Sequence, residues 1–161
     1  MIDPNRKEGS IAMGESEAAS YPTIVPMLSY EDVGAALAWL SEAFGFRETL
    51  RLTSDDGTIG HAEMQLGNGT IMLATPGPDY QSPKHHAEVC EIARRWSEVP
   101  YVIDGLHVLV DDVDDHFERA REAGATILSE PVDQSYGERV YRAADQEGHR
   151  WMFGQLLSGT G

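Results

Sequence analysis

The sequence predicts an α+β fold in which one β-α-β-β-β unit is used twice. Two stretches with apolar residues at helical spacing, EDVGAALAWLSEAFGF (31–46) and DDVDDHFERAREAGA (111–125), each follow one strand-like run and precede three more. Superposing Asp32-Val33 on Asp112-Val113 lays VPMLS (25–29) over GLHVL (105–109). Superposing the last strands lays IML (71–73) over WMF (151–153). The chain thus reads as an internal duplication. A flexible tail is expected over 1–20, a first module over 21–76, a helical linker over 77–103 and a second module over 104–157.

Each element has a local reason. TIVPMLSY (23–30) is an apolar strand, and Val33, Leu37, Leu40 and Phe44 then form one helix face. Asp32 suits the N-cap of that helix and Gly45 its left-handed stop. RETLRLT (47–53), IGHAEMQLG (59–67) and TIMLAT (70–75) follow as strands, divided by the turn formers SDDG and GNG. Proline and glycine in PGPDY and SP close the module. KHHAEVCEIARRWSEV (84–99) reads as one helix, with Val89, Ile92, Ala93 and Trp96 on a face that should cover part of the core. The second module repeats the plan with GLHVLV (105–110), a helix directing Val113, Phe117 and Ala120 inward, a stop at Gly124, and the strands TILSEPV, ERVYRAAD and HRWMFGQ. The tail MIDPNRKEGSIAMGESEAAS has no apolar period.

Composition narrows the function. The chain has 161 residues and a formal charge of −15, from 27 acidic against 12 basic residues. Such a surface repels phosphates, so nucleic acid is excluded as a partner, and cationic small molecules are favoured by the long-range field. No apolar run approaches the ~18 residues of a membrane span, and no basic-then-apolar leader opens the chain. The single cysteine, Cys90, allows no internal disulfide. A cytoplasmic protein without membrane attachment is therefore expected.

The duplication, the stretches SYEDVGAALAWLSEAFGF and VDDVDDHFERAREAGA, and the closing hairpin YGERVYRAADQEGHRW together resemble the vicinal oxygen chelate superfamily. This is the family of glyoxalases, bleomycin-resistance proteins and extradiol dioxygenases, and the resemblance runs from Thr23 to Leu156. It implies eight strands curled around a pocket, helices outside, and a homodimer. The family's metal enzymes draw ligands from the first and last strand of each module. The matching positions here are Val25, Met72, Gly105 and Met152. None offers the oxygen or imidazole donor that hard divalent ions require. The resemblance thus implies the fold, with no metal and no other cofactor.

Candidate site residues follow from strand alternation. His61 and Glu63, two apart on one face, could act as an acid-base pair or be a hydrogen-bonded polar face. His107 lies two residues beyond Gly105 and overlies Met27, so it is a candidate for pocket hydrogen bonding or proton transfer. Met27, Met72 and Met152 suit an adaptable apolar pocket, with Trp151 beside them if the last strand is bulged. Arg139 could hold a ligand anion or pair with a nearby carboxylate. His149 reads as structural, and His85, His86 and Cys90 are too few for a structural zinc site. The expected function is binding of a small aromatic or cationic organic molecule. The alternatives are a lyase, isomerase or dioxygenase-type enzyme using proton transfer by His61, Glu63 or His107, or a non-standard metal site should those three converge, and a structural or regulatory dimer.

Overall fold

The computed structural model describes residues 22–98 and 105–157. The tail and the end of the linker lie outside the described residues. The first module runs β1 (Met27–Ser29), α1 (Val33–Phe44), β2 (Arg47–Thr53), β3 (Ile59–Leu66) and β4 (Gly69–Ala74). The linker carries α2 (Pro83–Val89) and α3 (Glu91–Ser97). The second module runs β5 (Gly105–Leu109), α4 (Val113–Glu122), β6 (Thr126–Asp133), β7 (Glu138–Ala144) and β8 (Arg150–Leu156).

Each module forms a four-stranded sheet, ordered β1-β4-β3-β2 and β5-β8-β7-β6. The first strand pairs parallel with the last, because the helix carries the chain across between them, and the other pairs are antiparallel. Met27 stands opposite Met72, and His107 stands opposite Met152. This is the correspondence reached by overlaying the two halves of the sequence. The sheets are curled and do not close.

The helices start and stop where their caps demand. The Asp32 carboxylate accepts from the Ala35 amide at 2.9 Å, and the Asp112 carboxylate accepts from Asp114 and Asp115. Gly45 ends α1 at φ 77°, a conformation that a side chain would strain. The two helices then join the modules. Arg119 of α4 donates to the Ser41 and Glu42 carbonyls in the last turn of α1, a cation on the negative end of a helix. Trp39 donates its indole N–H to the Ala123 carbonyl at 2.9 Å.

One shared core results. Phe44, fully buried, has ring centroids at 4.9 Å from Trp39, 5.3 Å from Trp151 and 4.7 Å from Phe153, so a residue of the first module is enclosed by the second. His116 completes this packing. One ring nitrogen faces the Phe44 carbonyl at 3.1 Å and the other the Tyr141 hydroxyl at 2.7 Å. A carbonyl only accepts, so Nε2 carries the proton and Nδ1 accepts from the phenol. Burial holds the imidazole below its ordinary pKa and pushes the Tyr141 phenol up.

The linker corrects one expectation. Instead of one helix there are two, broken at Cys90, whose backbone is extended (φ −124°, ψ 113°). Val89 and Cys90 are both weak helix formers. Nor does the linker cover the core with its apolar face. Neither helix has a buried residue, and Val89, Ile92 and Trp96 are 71%, 60% and 54% exposed. Among the described residues, no helix is long and apolar enough to cross a membrane.

Candidate functional site: a cleft between the first strands

β1 and β5 belong to separate sheets, and both line one cleft of about 880 Å³. Its walls include Met27, Phe46, Tyr80, His107, Leu109 and His149. Aliphatic groups with Phe46 and Tyr80 make up most of the lining, and Ser29, Asn68, Thr70, His107 and His149 add polar atoms, a mixture found in small-molecule sites.

Each sheet turns one face to the helices and the other away from them. On the helix side lie Ala62, Met64, Ile71 and Leu73 in the first module, and Tyr141, Ala143, Trp151 and Phe153 in the second, all buried. Alternation therefore places Met27, Met72, Glu63 and His61 together on the open face of the first sheet. His107, Met152, Arg142, Val140 and Glu138 share the open face of the second. Of the four residues expected to face into the pocket, Met27 and His107 line the cleft, while Met72 and Met152 share their open faces but lie outside its walls.

Each open face carries one histidine against a carboxylate. His61 Nε2 lies 3.1 Å from Glu63 Oε1, and Glu63 is only 6% exposed. His107 does not join them. Its Nε2 lies 3.0 Å from Oε2 of Glu138, on its own sheet. That contact is close but off the line of a hydrogen bond, so Oε2 is buried without a formal partner. The first histidine thus found the neighbour its spacing suggested. The partner of the second comes from β7 and no sequence spacing pointed to it.

Of the expected site residues, only Met27 and His107 line the cleft; Met72, Met152, His61 and Glu63 lie on the open faces outside its walls, and Trp151 and Arg139 sit on the helix side. Trp151 is 1% exposed and packs against Phe44 and Phe46, because β8 runs unbulged and alternation sends Trp151 to the side opposite Met152. Arg139 grips Asp114 with two nitrogens, at 2.9 and 3.0 Å, and Asp133 with the third at 2.9 Å. Those hydrogen bonds, first from Asp114 and then from Asp133, raise its pKa above the ordinary arginine value. The arginine on the open face is Arg142, three residues later, in register with Met152.

The closing hairpin has a structural duty. The Asp145 carboxylate, nearly buried, accepts from the Tyr30 hydroxyl at 2.7 Å, the Trp151 indole at 3.1 Å, and the amides of Glu147 and His149. Burial first, and then the Asp145 charge, push the Tyr30 phenol well up. Glu147 accepts from the amides of Glu31 and Asp32, and His149 Nε2 donates to the Ser29 carbonyl at 2.8 Å. Glu31 in turn holds the Ser82 amide and the His85 ring, and the Ser82 amide chiefly lowers its pKa. A side chain at Gly148 would place Cβ 2.9 Å from the Lys84 backbone nitrogen. The turn thus ties the second module to the end of β1 and to the start of the linker.

The four positions that match the family's metal ligands, Val25, Met72, Gly105 and Met152, carry no oxygen or imidazole donor. Met72 and Met152 offer thioethers. At Gly105 even a Cβ would approach the Arg150 carbonyl oxygen to 3.3 Å. Among the described residues, no group of three His, Cys, Asp or Glu side chains is arranged to hold a metal ion.

A duplicated β-α-β-β-β chain with a cleft at its first strands defines a class, and the comparisons agree. The model of the Glyoxalase/Bleomycin resistance protein/Dioxygenase superfamily matches residues 24–153, and the chain belongs to that superfamily. An uncharacterised protein of Mycobacterium bovis is 32% identical over 138 residues, covering 83% of each chain. The crystal structure of TioX from Micromonospora sp. ML1 matches with a TM-score of 0.62 and 35% identity, over 83% of this chain and 98% of that one. The fosfomycin resistance protein FosX from Listeria monocytogenes shares the fold, with a TM-score of 0.57 at 13% identity, over 85% of this chain and 94% of that one.

Proposed function

We propose that the chain works without a metal and binds a small aromatic or cationic organic molecule in the cleft beside β1 and β5. The observation that carries this reading is the pairing of an apolar, aromatic cleft of about 880 Å³ with family metal positions that hold valine, glycine and two methionines. The charge of −15 favours a cation. The working form is a homodimer. Leu52, Leu109, Val132 and Leu156 are more than half exposed on strands, and a second copy would cover such surface. A second reading, proton-transfer chemistry of the lyase, isomerase or dioxygenase kind, is favoured by the nearly buried Glu63 beside His61.

Elemental analysis and thermal shift test the first reading. Purified protein is expected to carry no stoichiometric divalent metal. Zinc, nickel and manganese should leave its melting temperature in place, while 9-aminoacridine, a cationic aromatic, should raise it. A ligand at a hundred times its Kd adds about 2.7 kcal/mol to the folded state. About one zinc, nickel or iron per chain would overturn the metal-free reading. Light scattering should give twice the 17.7 kDa chain mass.

A further inference from the structure

Glu138 is the one carboxylate among the described residues that has a buried oxygen lacking a hydrogen bond, and the imidazole of His107 stands 3.0 Å from that oxygen. The contact is off the line of a hydrogen bond, but at 3.0 Å a bare nitrogen lone pair would repel the carboxylate oxygen, so Nε2 is the nitrogen that carries the imidazole proton. Nδ1 is then the bare acceptor. His107 takes part in no other hydrogen bond or ion pair among the described residues, and its ring lines the cleft.

The backbone is shaped to admit this pair. A Cβ on Gly154 would lie 2.8 Å from Glu138 Oε2 and 3.0 Å from His107 Nε2, closer than side chains pack. Gly154 is not in a left-handed conformation, so its lack of a side chain serves space and not backbone freedom. The first module supplies the contrast. Ala74, opposite Ser29, takes the place that Gly154 holds opposite Leu109. The face below Ala74 has Met27 where the second module has His107.

Building on the binding reading above, we propose that His107, set by Glu138 over the Gly154 floor, selects ligands bearing a hydrogen-bond donor on an aromatic ring. Nδ1 accepts the ligand's O–H or N–H while Phe46, Tyr80 and Met27 enclose its apolar body. The ligand class is thereby narrowed to phenols and aryl amines. A ring of equal size without a donor leaves a desolvated acceptor unpaired and binds more weakly.

The test compares 2-naphthol with 2-methylnaphthalene, which differ by hydroxyl against methyl, in fluorescence titrations of the full chain. The wild type is expected to hold 2-naphthol about tenfold more tightly, the size of one hydrogen bond to a desolvated partner. His107→Phe should bring the ratio of the two affinities to about one, since the ring is kept and the acceptor is lost. Gly154→Ala should lower it by displacing the pair, and Glu138→Gln by releasing the tautomer. Circular dichroism establishes which variants fold, and if His107→Phe does not, Glu138→Gln decides. Equal affinities in the wild type, or an undiminished ratio in the folded variants, overturn the role of His107 and leave cleft binding standing. Failure of both probes to bind overturns the binding reading and this inference together.

Discussion

In the first module Met72 stands between Met27 and Glu63 across the sheet; in the second, Met152 stands between His107 and Arg142. The ladders of the last two strands correspond residue for residue, those of β2–β3 and β6–β7 differ in their bulges, and the buried helix-side faces are apolar in both. The open faces have parted. Glu63 corresponds to Arg142, His61 to Val140, Ala74 to Gly154 and, on the helices, Ala36 to His116. The turns have parted too. Gly67-Asn68 makes a minimal hairpin, whereas Asp145 to His149 forms a hydrogen-bonded knot. A duplicated fold must keep the register and the core that hold it together. Its open faces are free to differ, and that is where recognition is expected. The second module has also taken on most of the work of joining the halves.

The largest expected effect breaks this comparison at the turns. Asp145→Ala strands the Tyr30 phenol and the Trp151 indole as buried donors and frees two turn amides. A loss of roughly 3–5 kcal/mol in urea unfolding is expected. Asn68→Ala, in the exposed hairpin of the first module, should change stability by no more than ~0.5 kcal/mol. Similar losses at the two turns would remove the structural role given to the knot.

Next comes the helix pair Ala36 and His116. His116 is neutral in the folded protein because burial, above all, lowers its pKa from the ordinary 6.5. The unfolded chain therefore binds more protons in the window between the lowered folded value and 6.5. Its contribution to stability is complete above that window and is lost as the pH falls through it. Urea midpoints at pH 7.5, 6.5 and 5.5 should fall with acid in the wild type. In His116→Leu the fall should be shallower, though the variant starts lower because Tyr141 and the Phe44 carbonyl lose their partner. Parallel slopes would assign the acid sensitivity to other groups.

Much of the fold was legible because the duplication repeats itself in residue types. Two Asp-Val helix starts and two apolar strand ends set both registers without any knowledge of contacts. That Met27, Met72, His107 and Met152 share one side of their sheets followed from alternation and the family's ligand positions, while which of them reach the cleft did not. What sequence reading missed depends on contacts across the chain. The break at Cys90 lies in a linker with no core to reward either form. Glu138 reaches His107 across an intervening strand, over a glycine whose purpose is clear only once the strands are stacked. His116 gave no warning because its partners come from β7 and from the other module. Arg139 and Arg142 are three apart on one strand and so face opposite ways, and nothing in composition says which one takes the open face.

That last pair yields the smallest expected effect and sharpens the comparison of faces. Arg139 shares the helix side of β7 with Tyr141, and its counterpart in the first module is Gly60, which has no side chain to offer. Its guanidinium is already held by Asp114 and Asp133, whose side chains are 58% and 62% exposed. Ion pairs between exposed groups contribute little, since water and salt screen them and the side chains lose freedom in forming them. Arg139→Ala should therefore shift the melting temperature by no more than about 3 °C, with the shift shrinking as salt is raised. It should leave the affinities for 2-naphthol and 2-methylnaphthalene where they were, since Arg139 does not line the cleft. If Arg139→Ala weakens either probe instead, the guanidinium must leave its carboxylates to meet the ligand, and the helix-side place given to Arg139 would have to be abandoned.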